Sequence, residues 1–218
     1  MMTPKLVIFD CDGVLVDTEG MSNRRLSAWL TELGYPIEYE ACRRRFEGTS
    51  MKLVQAEVEA AGVVLGEDFV ERWNLGLPEL FANGVPAVPH VRDVIETVRA
   101  ADIPYCVASS ARVSKMHITL GVTGLLPLFE HAMFSSTMVE RGKPFPDLFL
   151  HAAATMGIAP ADCVVIEDSV AGTTAGRAAG MKVYSYAGDP FADPAALEAA
   201  GGVVFDDMRA LSRLIGLA

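Results

Sequence analysis

Two carboxylates follow the first apolar segment of the chain, and they are the residues best suited to chemistry. Leu6–Phe9 is an unbroken apolar run, and Asp10 and Asp12 come directly after it. Side chains two residues apart on a strand point the same way, so both acids project from one end of a buried strand. Such a pair can bind a divalent cation, or supply a nucleophile with a carboxyl acid/base beside it. The alternative is a turn or helix-capping acid pair, and Gly13 at the expected turn argues against it.

Polar side chains also follow two later apolar runs. Ser109 and Ser110 end the segment YCVASS, and Glu167 and Asp168 end the segment VVIED. Parallel strands of an open α/β sheet present their carboxyl ends, where ligands bind, at one edge. A hydroxyl and backbone N–H groups at such a turn can hold a phosphate oxygen, although Ser109 alone would more often be a helix N-cap. The second acid pair repeats the chemistry of the first, although alone it could cap a helix.

A lysine between a glycine and two prolines is a further candidate. Lys143 lies in RGKPFPDLF, where the prolines restrict its backbone. Its ammonium suits a phosphate and reduces repulsion among carboxylates. A solvated surface lysine is the alternative for any lysine taken alone.

These four segments together resemble the motifs of the haloacid dehalogenase-like (HAD) hydrolase superfamily. LVIFDCDGVLVDTE resembles the first motif, D-x-D-G-[VT]-[LV]-x-[DS], and VASSAR, KPFPD and IED resemble the second, third and fourth. The string DGVLVDTE is similar to the subgroup with β-phosphoglucomutase and sugar-phosphate phosphatases. The resemblance implies a Rossmann-like parallel α/β core with a small helical cap inserted after the first strand.

The resemblance also implies a role for each residue. Asp10 attacks phosphorus and becomes an aspartyl-phosphate, Asp12 donates and then accepts a proton, and Ser109 and Lys143 hold the phosphoryl group. Mg²⁺ is bound by Asp10, the backbone carbonyl of Asp12, Asp168, and Glu167 either directly or through water. The predicted phosphate and substrate contacts are Asp10, Gly13, Thr18, Glu47, Gly48, Thr49, Ser50, Ser109, Ser110 and Lys143.

The predicted function is hydrolysis of a small phosphate monoester, of a sugar or polyol, with Mg²⁺ as cofactor. A phosphomutase is the main alternative, but Ser22 stands where the mutase of this subgroup has a proton-transferring histidine, and Met51 where it has an arginine for a second phosphate. Dehalogenases of the superfamily lack an acid equivalent to Asp12. A non-catalytic phospholigand-binding module is the remaining alternative, and turnover of any phosphate ester would exclude it.

Composition narrows the class of protein. The chain has 218 residues, of which 51% are hydrophobic and 21% charged, as in packed globular proteins. A net charge of −10 argues against a nucleic-acid partner, and the basic run at residues 43–45 predicts a solvated helix face. The four cysteines lack metal-site spacing, which favours reduced core thiols. With no membrane-length apolar stretch or signal-like start, we expect a cytoplasmic protein, with a monomer plausible.

The order of helical and strand patterns along the chain predicts the domain organisation. Residues 18–84 show only helical patterns, whereas apolar strand runs alternate with helical patterns elsewhere. We therefore expect an α/β core from residues 1–17 and 85–218, with residues 18–84 as the cap. Within the cap, the pattern predicts one continuous helix from about Asp68 to Phe81. In the core it predicts a helix that breaks at Gly121.

Overall fold

A six-stranded parallel sheet forms the centre of the protein. The computed structural model describes residues 3–46 and 49–217. Its strands are Leu6–Phe9 (β1), Tyr105–Ser109 (β2), Met133–Ser135 (β3), Cys163–Glu167 (β4), Lys182–Tyr186 (β5) and Val203–Phe205 (β6).

The order of the strands places β1 next to the point where the chain reverses direction across the sheet. The order is β3-β2-β1-β4-β5-β6, so the chain leaves β1 towards one edge and later returns to its other side. Ile8 is in register with Cys106 of β2 and with Val165 of β4. Ligands of open α/β sheets bind outside the carboxyl ends of the strands at such a reversal. The residue after β1 is Asp10.

Helices cover the sheet and also form a group of their own between β1 and β2. The helices between β1 and β2 are Glu19–Glu32 (α1), Tyr39–Phe46 (α2), Met51–Ala60 (α3), Phe69–Leu75 (α4), Leu77–Leu80 (α5) and Val91–Ala100 (α6). The later helices are Val113–Val122 (α7), Leu126–Phe129 (α8), Asp147–Thr155 (α9), Val170–Ala178 (α10), Pro194–Ala199 (α11) and Leu211–Leu214 (α12). None of the helices within the described residues is long and apolar enough to cross a membrane.

The residues of β1 alternate between two hydrophobic layers, which explains why the whole strand is apolar. Val7 and Phe9 belong to the layer on one face of the sheet, where the Phe9 ring meets that of Phe129 edge-on at 6.0 Å. Leu6 and Ile8 belong to the layer on the other face. A strand buried on both faces cannot alternate with polar residues. The first polar side chains therefore come where the strand ends.

Helices α1 to α5 share a third hydrophobic cluster that is separate from the two layers of the sheet. The Trp29 ring stacks on Phe69 at 4.6 Å, and Trp73 lies 6.0 Å from Trp29. Ser50 caps α3, because its side chain accepts a hydrogen bond from the backbone N–H of Leu53. This separate core is consistent with our proposal that residues 18–84 are a cap domain.

Two expectations about elements were wrong. The helix predicted from Asp68 to Phe81 is divided at Gly76, because Pro78 has no N–H to continue it. The helix predicted to break at Gly121 continues to Val122, and Gly124 takes the left-handed conformation at φ 69°. Helices α8 and α11 were not anticipated from the sequence.

The basic run at residues 43–45 is not a uniformly solvated face. The side chain of Arg43 is 4% exposed, and it donates a 2.8 Å hydrogen bond to Asp189 in the loop after β5. Its guanidinium also lies 4.6 Å from the centre of the Phe191 ring. Arg43 therefore connects α2 to the core. This role could not be predicted from the basic run, because its partner Asp189 is distant in sequence. All four cysteines are buried free thiols, as predicted.

Candidate active site

Lys143 lies between two carboxylates at the carboxyl ends of the central strands. Its ammonium donates to Asp10 and, at 2.6 Å, to Glu167. Asp10, Lys143 and Glu167 are 6%, 9% and 1% exposed, so this ion-paired chain is shielded from water. Burial opposes the charge of Lys143, but Asp10 and Glu167 outweigh it and raise the pKa of the ammonium above its usual value. Burial raises the pKa of Asp10 to about 7. The positive charge of Lys143 opposes this rise, and the negative charge of Glu167 adds to it.

The other oxygen of Glu167 anchors the turn from β4 into α10. Glu167 Oε2 accepts hydrogen bonds from the backbone N–H groups of Asp168 and Ser169, at 2.9 and 2.8 Å. The Ser169 hydroxyl donates to the same oxygen, and it also accepts from the N–H of Gly172 as the cap of α10. Both oxygens of Glu167 are thus already engaged within the protein. Its carboxylate therefore orients both Lys143 and the turn into α10.

Three carboxylates can share a cation at this edge of the sheet. Asp10, Glu167 and Asp168 each offer an oxygen, and these oxygens lie within 4.8 Å of one another. A set of oxygen ligands suits a hard divalent cation. The approach of Asp168 depends on Gly13, where a Cβ would lie 1.8 Å from Asp168 Oδ2. Gly13 also has φ +82°, a conformation that other residues rarely adopt. The residues present fit a cation site.

Asp12 is held through one of its two oxygens. Asp12 Oδ1 accepts a 2.5 Å hydrogen bond from the Thr18 hydroxyl and forms a 2.8 Å ion pair with Lys115 Nζ. Asp12 and Lys115 side chains are 15% and 16% exposed. Burial opposes the charge of Lys115, but Asp12 outweighs this and raises the pKa of the lysine. The ammonium group of Lys115 is therefore a second positive charge beside the catalytic acids, whereas only Lys143 had been identified from the sequence.

The loop after β2 forms the wall beside Asp10. The Ser109 hydroxyl accepts a hydrogen bond from the N–H of Ala111 at 3.1 Å, and the residue is 1% exposed. The carbonyl of Ser110 accepts from the Ser136 hydroxyl at 2.7 Å. Both serines line the same cavity as the carboxylates. Ser109 thus stabilises the turn, as an N-cap serine would, and it also lines the cavity, as a phosphate-binding serine would.

The cavity lies between the carboxyl ends of the strands and helices α1, α3 and α4, and its volume is about 650 Å³. Neutral polar groups reach it from α1 and α4, among them Ser22, Asn23 and Asn74. The Ser22 oxygen is buried and finds no hydrogen-bond partner among residues 3–46 and 49–217. Apolar side chains complete much of this side: Leu26, Phe46, Met51, Leu53, Val54, Val70 and Trp73.

The predicted substrate contacts fall into four groups. Ser109, Ser110, Lys143, Asp10, Thr49 and Ser50 line the cavity. Thr18 is fully buried and donates to Asp12, and its role as a substrate contact stays a prediction. Gly13 acts through its backbone and its lack of a side chain. Glu47 and Gly48 lie outside the described residues, and their role stays a prediction.

Four basic residues at the cavity were not identified from the sequence: Lys52, Arg112, Lys115 and Arg141. Arg112 reaches across from the start of α7 to Glu71 of α4, at 2.8 Å. A signal for Lys115 was available, since it lies one turn into the helix that follows the Ser109 loop. Its direction could not be read from the sequence, because the rotation of α7 depends on how the helix packs.

Fold and site together define an α/β enzyme whose acidic centre lies at the strand reversal beneath a group of helices. The sequence profile of the haloacid dehalogenase-like hydrolases matches residues 4–180. The chain belongs to that family, and the predictions of family and of a Rossmann-like fold are confirmed.

Individual relatives agree with this placement. The 6-phosphogluconate phosphatase of Escherichia coli is 31% identical over 190 residues, which cover 86% of this chain and 85% of that protein. The β-phosphoglucomutase of Bacillus subtilis is 29% identical over 196 residues, which cover 81% and 80%. A HAD family hydrolase from Deinococcus radiodurans, solved with bound phosphate and sodium, is 32% identical with a TM-score of 0.77 and covers 99% of this chain and 97% of its own. The prediction of a hydrolase of the phosphoric monoester class is confirmed.

Proposed function

We propose that this protein is a Mg²⁺-dependent phosphatase that hydrolyses a small sugar or polyol phosphate through an aspartyl-phosphate on Asp10. The observation that carries the proposal is the position of Asp10 at the cavity floor, bonded to Lys143, with Glu167 and Asp168 beside it. This is the acid-rich, lysine-containing site that a phosphoryl group needs for positioning and charge compensation. Relatives named as a phosphatase and a phosphomutase support the same class of substrate.

Asp10 supplies the nucleophile in the first step. One carboxylate oxygen attacks phosphorus as the bond from phosphorus to the ester oxygen breaks, which leaves the phosphoryl group on Asp10. Lys143 holds that carboxylate in place and offsets the negative charge that gathers there. Ser109 and its loop line the cavity, and in this proposal the Ser109 hydroxyl donates to a phosphoryl oxygen.

Asp12 moves the proton in both steps. It protonates the leaving alcohol oxygen in the first step, and as a carboxylate it removes a proton from the attacking water in the second. Water attacks phosphorus, the bond to Asp10 breaks, and inorganic phosphate leaves. Asp12 lines the same cavity as Asp10, two residues away on the same chain segment.

Asp10, Asp168 and Glu167 would hold Mg²⁺, with the backbone carbonyl of Asp12 as a further ligand. When bound, the cation would stabilise the charge of the transferring phosphoryl group. The fit rests on the oxygens within 4.8 Å and on the space that Gly13 leaves for Asp168. Glu167 already accepts three hydrogen bonds through Oε2 and pairs with Lys143 through Oε1, so direct ligation by Glu167 would compete with these contacts.

A phosphomutase is the second candidate, and the β-phosphoglucomutase relative keeps it open. Two cavity residues favour hydrolysis. Ser22 has no group that exchanges protons near neutral pH, and Met51 cannot bind a second phosphate. A phosphorylated Asp10 would thus be left for water to attack. The cavity is of the size that holds a sugar phosphate.

The test is a panel of sugar, polyol and aryl phosphates, assayed with Mg²⁺ for phosphate release and for isomerisation of glucose 1-phosphate. We expect phosphate release from several sugar or polyol phosphates and no isomerisation. Efficient isomerisation would replace the phosphatase assignment with the mutase. Failure to act on any phosphate ester would overturn both.

A further inference from the structure

Lys115 is a charged residue at the site that the hydrolytic steps above leave without a role. It belongs to the first turn of α7, and its backbone N–H bonds to the carbonyl of Arg112 at 3.0 Å. Its side chain returns into the cavity and ends 2.8 Å from Asp12. Placing a lysine in a largely buried position costs free energy, which the contact with a carboxylate offsets.

The contacts of Asp12 are unequal between its two oxygens. Thr18 and Lys115 both bind Oδ1. Among residues 3–46 and 49–217, no hydrogen bond reaches Oδ2, and the ion-pair contact of Lys115 Nζ at 2.8 Å is with Oδ1. Two donors on one oxygen fix both the position of a carboxylate and its rotation about the bond to the carboxyl carbon. Oδ2 is thereby left to face the ligand.

We propose that Lys115 is a positioning residue for proton transfer, holding Asp12 by Oδ1 so that Oδ2 is aimed at the leaving oxygen of the substrate. The inference rests on the proposed phosphatase function. Lys115 acts through Asp12 and does not bind the phosphoryl group, for which Lys143 and the Ser109 loop are already in place.

The position of Lys115 in the sequence connects two parts of the site. The loop that carries Ser109 leads directly into α7, and Lys115 comes six residues after Ser109. The helix therefore fixes Asp12 relative to the phosphate-binding loop. Thr18 supplies the other contact from the start of α1, six residues after Asp12.

The experiment compares Lys115→Met, Lys115→Arg and Lys5→Met with the parent enzyme on two substrates. Lys5 is the matched control, because it forms a 2.9 Å ion pair with Asp162 outside the site. One substrate is an alkyl phosphate, whose alcohol must be protonated as it leaves, and the other is 4-nitrophenyl phosphate, whose phenolate needs little help. The quantity compared is kcat/KM, which reports the step up to loss of the leaving group.

We expect Lys115→Met to lower kcat/KM for the alkyl phosphate by about 10- to 100-fold and for the aryl phosphate by less than about 3-fold. Lys115→Arg should recover part of the loss, and Lys5→Met should match the parent. The inhibition constant of inorganic phosphate should stay within about 3-fold of the parent value, because Lys115 does not bind the phosphoryl group. Thermal unfolding with and without phosphate shows that each variant is folded, and Lys115→Gln replaces Lys115→Met if the latter does not fold.

Equal losses on both substrates, with a weaker inhibition by phosphate, would make Lys115 a phosphate-binding residue and overturn the proposal. Unchanged alkyl phosphate turnover in Lys115→Met would overturn it as well. Neither result would touch the proposed function, which fails separately if the parent enzyme hydrolyses neither substrate.

Discussion

The two sides of the cavity are built from different chemistry. On the sheet side, charged groups are paired within the protein: Lys143 with Asp10 and Glu167, and Lys115 with Asp12. On the helical side, most of the lining is apolar or neutral and polar, with Glu19 and Lys52 as its charged residues, and the Ser22 hydroxyl has no partner among the described residues. Groups held by several bonds keep a fixed geometry, which reactions need. A surface with unpaired hydrogen-bonding groups is suited to recognising a ligand. We therefore propose that the sheet side carries out catalysis and that the helical side selects the substrate.

The largest effect should come from the nucleophile. Asp10→Asn keeps the shape of the side chain but removes its nucleophilic oxygen, so we expect hydrolysis of 4-nitrophenyl phosphate to fall by at least ~10⁴-fold. Steady-state turnover measures the loss, and circular dichroism shows whether the fold is kept. Turnover near the parent rate would mean that the chemistry of the sheet side does not depend on Asp10.

The second effect separates the two acids after β4. Chelation should abolish activity and Mg²⁺ should restore it. Asp168→Ala should weaken the apparent affinity for Mg²⁺ by about 100-fold or more, as expected for loss of a direct ligand. Glu167→Ala should instead lower the free energy of unfolding by about 3–5 kcal/mol, because it leaves Lys143 and two backbone N–H groups without that acceptor. Mg²⁺ titrations and denaturant unfolding of both variants measure the two quantities, and identical behaviour would contradict the division of roles.

A third prediction concerns pH in the absence of metal. The folded-state pKa of Asp10 is raised to about 7 by burial, above its ordinary value of 3.8, so the folded protein holds this proton more tightly than the unfolded chain. The contribution of protonated Asp10 to the free energy of unfolding is complete below pH 3.8, and it is lost as the pH rises through about 7. In a chelating buffer, the free energy of unfolding should fall by on the order of 2–4 kcal/mol between pH 5 and 8.

Asp10→Asn is the control for this dependence, because it cannot take up the proton. Its free energy of unfolding should vary less with pH over the same range, and Mg²⁺ should restore stability to the parent at pH 8. A parent protein whose stability rises with pH in the chelating buffer would show that Asp10 is not buried as the structure places it.

The smallest effect should come from the helical side. A buried hydroxyl without a partner costs about 1–3 kcal/mol, so a substrate hydroxyl that pairs with Ser22 gains binding energy. Ser22→Ala should lower kcat/KM for the preferred sugar or polyol phosphate by up to ~10-fold and leave 4-nitrophenyl phosphate unchanged. Equal effects on both substrates would remove Ser22 from the recognition surface.

Much of the sheet side could be predicted from the sequence, because its residues follow apolar runs directly. A strand buried on both faces ends where polar residues begin, and this places Asp10 and Asp168 at one edge once the strands are parallel. Lys143 was identified from the residues around it. The two-layer core also follows from alternation along β1.

The parts that could not be predicted depend on how helices pack. The direction of Lys115 is set by the rotation of α7, and the burial of Arg43 is set by Asp189, which is distant in sequence. Pro78 could have been used to predict the division of the cap helix at Gly76, whereas the contact of Arg25 with the Gly76 carbonyl could not be predicted. Local patterns carry no information about such partners.

Direct detection of the phosphorylated residue tests the central claim. The enzyme is mixed with substrate and Mg²⁺, quenched in acid during turnover, and reduced with borohydride, which converts a phosphorylated aspartate to homoserine. Peptide mass spectrometry then assigns the position. We predict homoserine at Asp10, absent when substrate is omitted and absent in Asp10→Asn. Homoserine at another aspartate, or none in an enzyme that is turning over substrate under conditions that preserve acyl phosphates, would contradict nucleophilic attack by Asp10.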